Sequence, residues 1–203
     1  MDKQSYLDQI AVKENKGPGP LLTPLMIKVI VAGLIALITI VIVGNILSSS
    51  NTKETAIYER LYSRIENLHG SSGPQSYTNQ LRSSSLIAYT NDLDTSLTNT
   101  ANQLKGVIAG VGVDPANINS DIAAEETARI TAFKAKIDDS ILNGTINSTF
   151  ATALAAEVDQ LMILERQVLS QNSNAALAEV VTASLSDLEI IYNHIHDLSL
   201  NLN

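Results

Sequence analysis

Residues 173–203 read SNAALAEVVTASLSDLEIIYNHIHDLSLNLN. Apolar residues recur along this stretch at alternating steps of three and four, which is the heptad spacing of a helix that packs along one seam. One serine shares this spacing. The positions are Leu177, Val181, Ser184, Leu188, Ile191, Ile195, Leu198 and Leu202. The stretch therefore predicts a long amphipathic helix that belongs to a helical bundle.

Four more segments toward the N-terminus show the same kind of spacing. Their apolar residues fall three or four positions apart, as Ile57, Leu61 and Ile65 do. The segments are 55–68, 78–109, 121–142 and 148–169. No stretch of this part of the sequence alternates apolar and polar residues as a half-buried strand requires. Residues 55–203 are therefore predicted to form an all-α domain.

Turn-forming residues separate the predicted helices. Gly70 to Ser76 reads GSSGPQS, and Asn143-Gly144 supplies a residue that can take a positive φ after a helix. Short loops make consecutive helices antiparallel neighbours. The four longer segments therefore predict an antiparallel four-helix bundle, which the short helix over 55–68 precedes.

Residues 25–47 read LMIKVIVAGLIALITIVIVGNIL, in which Lys28 is the only charged residue. This run has no polar face, and it is long enough to cross a hydrocarbon core of about 30 Å. It is longer than the apolar region of a cleaved signal peptide and lacks the small-residue cleavage pattern. The sequence therefore predicts an uncleaved signal-anchor, a single transmembrane helix that binds the lipid bilayer.

Two polar segments flank this predicted span. Residues 1–24 form a short leader with GPGP at positions 17–20, and proline and glycine at this density mark a boundary. Residues 48–54 begin with SSSNT and are predicted to be a hinge. The short helix over 55–68 would follow this hinge as a stalk that continues the transmembrane helix.

The expected orientation depends on the basic residues near the span. Lys13, Lys16 and Lys28 lie on its N-terminal side, and three basic residues lie close to its C-terminal side, so the local count is even. The segment after the span carries 9 basic against 18 acidic residues. We therefore expect a single-pass cell-membrane protein with its N-terminus in the cytoplasm and its C-terminal domain outside.

The composition excludes several classes of function. The protein has a formal net charge of −8 and no cysteine. An acidic domain without basic clusters argues against nucleic-acid binding, and without cysteine there is neither a disulfide bond nor a thiol nucleophile. Gly106, Gly110 and Gly112 follow a predicted helix and not a strand, so they do not indicate a phosphate-binding loop.

A four-helix bundle can hold a carboxylate-bridged di-metal site, which needs two Glu-x-x-His motifs and two further glutamates. Glu66 and His69 form one such motif, and the sequence has no second copy. Glu157, Glu165 and Glu189 lie on other predicted helices without a histidine at the matching offset. The sequence therefore predicts no metal site and no cofactor.

Two histidines flank one core position of the last predicted helix. His194 and His196 lie on either side of Ile195. Residues two apart on a helix project from different faces, so these two cannot chelate one ion. We interpret them as polar residues that border the core. No nucleophile–base arrangement can be inferred from the sequence, so we expect no catalytic residue and no enzyme activity.

Two hypotheses about function remain. In the first, the chain is a membrane-anchored helical-bundle protein that acts as a structural or partner-binding accessory subunit of a cell-envelope assembly, through a protein partner or through self-association. In the alternative, the outer bundle senses a small ligand or binds a metal ion between its helices. A leader of 24 residues is too small to be a signalling module, which favours the first hypothesis.

Overall fold

The computed structural model describes residues 50–202, all of which belong to one unit, Ser49–Asn203. This part of the chain contains five α-helices and no strand, which confirms the all-α prediction for it. The helices are α1 (Ser50–Leu68), α2 (Ser84–Val107), α3 (Ser120–Leu142), α4 (Ile146–Gln171) and α5 (Ala175–Asn201). Short 3-10 segments cover Gly70–Ser72, Pro74–Gln80 and Ile108–Val111.

The predicted transmembrane helix over 25–47 lies outside the described residues, as does the leader over 1–24. Among the helices that the structure does describe, none combines the length and the apolar character that a bilayer crossing requires.

Side-chain caps determine where three of the helices begin. Ser83, Asn119 and Asn174 precede α2, α3 and α5, and the side-chain oxygen of each accepts a backbone N–H from the first turn. These acceptors satisfy donors that a helix start leaves unpaired. Thr78, the expected first residue of the second helix, lies instead in the 3-10 segment ahead of the Ser83 cap. Gly144 follows α3 with a φ of 70°, which confirms the predicted turn.

The first helix differs from its predicted form in length and in role. The described helix runs from Ser50, so residues 50–54 of the expected hinge are helical. Six large side chains on α1 are buried, which a stalk could not achieve. They are Ile57, Tyr58, Leu61, Tyr62, Ile65 and Leu68. An apolar face of this width is covered only when several helices pack against it.

Four helices form a ring in the order α1, α2, α5, α4. Both α1 and α5 pack against α2 and against α4, whereas α3 lies outside the ring against α1 and α4. The predicted bundle consisted of the four longer helices, so α1 takes the place that α3 was expected to hold. The connector over 108–119, which joins α2 to α3, is long enough for α3 to pack away from α2.

Contacts between α2 and α5 give the relative direction of these two helices. The ring of Tyr89 stacks on that of His194, and Ser96 Oγ donates to Asp187 Oδ2 over 3.4 Å. From the first of these contacts to the second, the residue number rises along α2 and falls along α5, so the two helices are antiparallel. Loops of three residues join α3 to α4 and α4 to α5, which makes these pairs antiparallel as well.

The interior of the described domain is mostly aliphatic, and three of its aromatic rings form a cluster. Tyr77, Phe133 and Phe150 are all buried, and their ring centroids lie 5.9–6.5 Å apart. The heptad seam of α5 is confirmed from Leu177 to Ile195, each of whose six positions is buried.

Candidate functional site: charged groups buried between the helices

A buried ion pair joins α1 to α3. Arg64 and Glu126 are only 5% and 2% exposed. Arg64 Nε donates to Glu126 Oε2 and Arg64 Nη2 donates to Glu126 Oε1, both over 2.8 Å. Arg64 Nη1 donates to the backbone oxygen of Gln160 over 3.3 Å, which brings α4 into the same contact. The planar guanidinium and the carboxylate therefore meet in the two-bond geometry that is the strongest for this kind of pair.

Three further ion pairs lie beside this one. Arg60 Nη2 lies 2.7 Å from Glu125 Oε2, and Arg60 Nη1 lies 3.7 Å from Glu126 Oε1. Arg129 Nε donates to Glu157 Oε2 over 2.7 Å and so links α3 to α4. Arg129 and Glu157 line the same cleft as Arg64 and Glu126. We call these three arginines and three glutamates, which lie on α1, α3 and α4, the ion-pair network.

The cleft beside this network is small. Its lining includes Arg64, Glu126, Arg129 and Glu157, and it offers about 10 Å³ for the centre of a water molecule. A space of that size holds about one water. An arginine does not release its proton at physiological pH, and both oxygens of Glu126 are bound by guanidinium groups. The network is therefore suited to holding three helices together, not to binding a substrate or transferring a proton.

Glu165 on α4 is a second buried glutamate, and no cation pairs with its carboxylate. Its side chain is 0% exposed, and Oε1 accepts a hydrogen bond from Ser184 Oγ of α5 over 2.7 Å. Oε2 has no hydrogen-bond partner. Burial raises the pKa of this carboxyl to about 8, although the Ser184 hydroxyl and the charge of Arg166 act in the opposite direction.

The Glu-x-x-His motif of the sequence analysis lies at the end of α1, where it contacts a cation from α2. Glu66 Oε2 lies 3.5 Å from His69 Nε2, and Glu66 Oε1 lies 3.2 Å from Lys105 Nζ. Burial acts to raise the pKa of Glu66, but the neighbouring Tyr62 hydroxyl and Lys105 ammonium outweigh it and leave that pKa below its ordinary value. Within residues 55–202, no three His, Asp or Glu side chains are arranged to hold a metal ion.

The structure separates the other three glutamates considered for a metal site. Glu157 pairs with Arg129, and Glu189 pairs with Arg166 over 2.8 Å at the surface between α4 and α5. Glu165 is buried in the same helix pair. Each of the three carboxylates therefore has a different environment, and they do not share one site.

The two histidines of α5 each stack on a tyrosine. His194 lies over Tyr89 of α2 with ring centroids 4.8 Å apart, and His196 lies over Tyr192 with centroids 5.4 Å apart. Both histidines are exposed, whereas Ile195 between them is fully buried. The interpretation of these histidines as residues that border a core position is confirmed.

Sequence reasoning missed the two buried glutamates, although their positions carried a signal. Glu126 follows Ile122 by four positions and precedes Ile130 by four, so it occupies the core stripe of α3. Glu165 follows Leu161 by four positions on the core stripe of α4. A charged residue at a position that the heptad spacing assigns to the core predicts either a buried partner or a shifted pKa.

Comparison of the chain with protein families, with curated proteins and with solved structures gave no significant match. A function must therefore be inferred from the residues themselves. The ion-pair network, the buried Glu165 and the exposed faces of the helices are the features from which to infer it.

Proposed function

We propose that this protein is a membrane-anchored helical-bundle protein that acts as a structural or partner-binding subunit of a cell-envelope assembly and performs no catalysis. The observation that carries this proposal is that the buried charged side chains bond to one another between helices. Arg64, Glu126 and their neighbours cross-link three helices, and the cleft beside them holds about one water molecule. Such an interior supports a rigid body that presents its outer surface.

The proposed anchor rests on residues 25–47. Their composition is that of a bilayer-spanning helix, with one lysine close to an end, where its long stem can carry the charge back to the interface. We place the helical domain outside the cell, with residues 1–24 in the cytoplasm.

The exposed faces of the helices offer contact surface for a protein partner or a second copy of the chain. Large apolar side chains are exposed to solvent on three helices. Leu142 on α3 is 85% exposed and Ile163 on α4 is 47% exposed. On α5, Ile190 is 58% exposed and Leu200 is 65% exposed. Aliphatic side chains of this size release water when a partner covers them. The four carboxylates of α5 and its lack of lysine and arginine support a protein partner over nucleic acid.

The cleft described above gives no support to the alternative hypothesis that the bundle senses a small ligand. A small molecule is usually enclosed in a cleft of about 300 Å³ or more, whereas the cleft beside Arg64 and Glu126 holds about one water.

The experiment that tests this function is photo-crosslinking in intact cells. A photoreactive amino acid replaces one exposed apolar residue at a time, at Leu142, Ile163, Ile190 or Leu200, and the full-length protein is then recovered in gentle detergent. We expect a discrete heavier adduct from at least one position, and none from a matched substitution at the buried Leu161. Recovery of monomer alone from every position would contradict the proposal.

Orientation is tested separately by protease treatment of intact cells or spheroplasts. We expect cleavage within residues 55–203 and protection of residues 1–24. Protection of the helical domain together with cleavage of the leader would overturn the proposed localisation.

A further inference from the structure

Glu165 lies at a core position in the contact between α4 and α5. It follows Leu161 by four positions and precedes Val168 by three, and both of these neighbours are fully buried. One carboxylate oxygen accepts the Ser184 hydroxyl across the helix pair over 2.7 Å, and the other has no partner. A single hydroxyl donor is far less than an ionised carboxylate needs once it has lost its water.

Other ionisable groups near α4 do not supply that missing bond. On α4 itself, Arg166 pairs with Glu189 of α5 at the surface, although its charge still acts on Glu165 at a distance. From α5, the group that reaches Glu165 is the neutral hydroxyl of Ser184, since Asp187 bonds to α2.

The helices on the other side of α4 contribute further ionisable groups. The buried ones are Tyr58, Tyr62 and Arg64 of α1 and Glu126 of α3. Arg64 and Glu126 bond to each other, and Tyr62 interacts with Glu66 and Lys105. None of these groups bonds to Oε2 of Glu165.

We propose that the contact between α4 and α5 is a pH-sensitive switch, in which neutral Glu165 holds α5 against α4 and ionised Glu165 weakens that contact. The carboxyl and the Ser184 hydroxyl can share hydrogen bonds when both are neutral. Ionisation places an uncompensated charge between two apolar helix faces. The α5 group that bonds to Glu165 is Ser184, so the ionisation acts first on the contact between α4 and α5, which the three residues 172–174 join.

The direction of the pH dependence follows from linkage. The pKa of Glu165 is raised from an ordinary value of 4.5 to about 8 in the folded protein. The stabilisation is therefore fully present below about pH 4.5, falls as the pH rises toward 8, and levels off above that value. Between these two pH values Glu165 is ionised in the unfolded chain but protonated in the folded one. Its contribution to the folding equilibrium constant therefore falls about tenfold for each pH unit.

The test compares the full-length protein with its Glu165→Gln variant. Glutamine keeps the size and the neutral character of a protonated carboxyl but does not titrate. Urea unfolding at a series of pH values gives the ratio of the two folding equilibrium constants, in which the titrations of all other groups cancel. We expect the ratio of wild type to variant to fall about tenfold per pH unit between about pH 5 and 8. A ratio that does not change with pH would overturn the proposal.

Glu179→Gln is the matched control, because Glu179 is an exposed carboxylate on α5. We expect this variant to follow the wild type at every pH. Amide hydrogen exchange, corrected for the intrinsic effect of pH, then locates the change. We expect faster exchange in α5 at about pH 9 in the wild type than in Glu165→Gln, and equal exchange in α3. Acceleration of all helices alike would indicate general destabilisation and would contradict a switch at this contact.

A measurement on the unsubstituted protein keeps the proposal testable if Glu165→Gln does not fold. Carbon-13 NMR of labelled glutamate side chains follows the carboxyl of each residue directly. We expect Glu165 to titrate near pH 8, and to titrate at still higher pH in Ser184→Ala, because the serine hydroxyl favours the ionised form. A midpoint below about pH 5 in the wild type would overturn the proposal.

Discussion

Arg64 and Glu126, which are 62 positions apart in the sequence, connect α1 to α3 through two parallel hydrogen bonds of 2.8 Å each. Both side chains are almost completely buried, so neither charge can be returned to water without separating the helices. The pair therefore fixes the register of α1 against α3. A third bond, to the Gln160 carbonyl, extends this register to α4.

Replacing Arg64 with methionine removes one partner and leaves the Glu126 carboxylate buried. Breaking a buried pair in this way costs about 3–5 kcal/mol of the free energy of unfolding. Arg166→Met is the control, because its pair with Glu189 is about half exposed and such pairs contribute roughly 0–1 kcal/mol. Urea unfolding of the purified protein measures both. Equal losses from the two variants would show that the buried pair has no special role.

The integration of α1 into the core is tested by Leu61→Ala. Leu61 is 0% exposed, and truncation of a buried leucine costs about 2–5 kcal/mol through lost burial and a residual cavity. Leu142→Ala makes the same chemical change at a position that is 85% exposed, where we expect less than about 0.5 kcal/mol. Thermal or urea unfolding measures the loss of stability in each of these two variants. A Leu61 variant as stable as the Leu142 variant would favour the predicted stalk over the observed core helix.

Much of the fold could be predicted because helical spacing is a local property. Positions such as Leu188 and Ile195 on α5 fall on the seam by their spacing alone, and the structure buries both completely. Spacing gives the direction and width of an apolar face, but it does not say which helix covers that face. The inclusion of α1 in the ring and the exclusion of α3 depend on long-range packing, which no local pattern encodes.

The buried glutamates also show that spacing along one helix does not identify the partner on another helix. Glu126 and Glu165 both interrupt apolar stripes, yet one is paired with an arginine and the other with a serine. The identity of each partner depends on how helices distant in sequence are aligned. The spacing could therefore identify these positions as unusual without distinguishing a structural ion pair from a titratable group.

Two glycines near the end of α2 should respond in opposite ways to alanine. Gly112 follows the 3-10 segment Ile108–Val111 with a φ of 83°, a left-handed conformation that costs a residue with a Cβ roughly 1–2 kcal/mol. Gly106 lies within α2, and a Cβ added there would meet nothing within 4 Å. We therefore expect Gly112→Ala to destabilise the protein and Gly106→Ala to stabilise it by up to about 1 kcal/mol. Urea unfolding at neutral pH measures both, and a change of the same sign in both variants would contradict these assignments.

Tyr77→Phe should lower the stability of the protein at neutral pH and make that stability less sensitive to alkaline pH. Tyr77 Oη donates to Asp138 Oδ1 over 2.9 Å, and burial, followed by this bond and the charge of Asp138, raises the pKa of Tyr77 to about 12. Because the folded pKa exceeds the ordinary value of 10, the stabilisation is complete below about pH 10 and is lost as the pH rises toward 12.

Phenylalanine keeps the ring that packs against Phe133 and Phe150, so at neutral pH we expect the variant to lose only the hydrogen bond, about 1 kcal/mol. The hydroxyl that titrates is absent from Tyr77→Phe, so the variant should also lack the part of the alkaline decline that this residue causes. Urea unfolding at about pH 7 and about pH 11 tests both statements. An unchanged difference between wild type and variant at the two pH values would show that Tyr77 ionises as easily in the folded protein as in the unfolded chain.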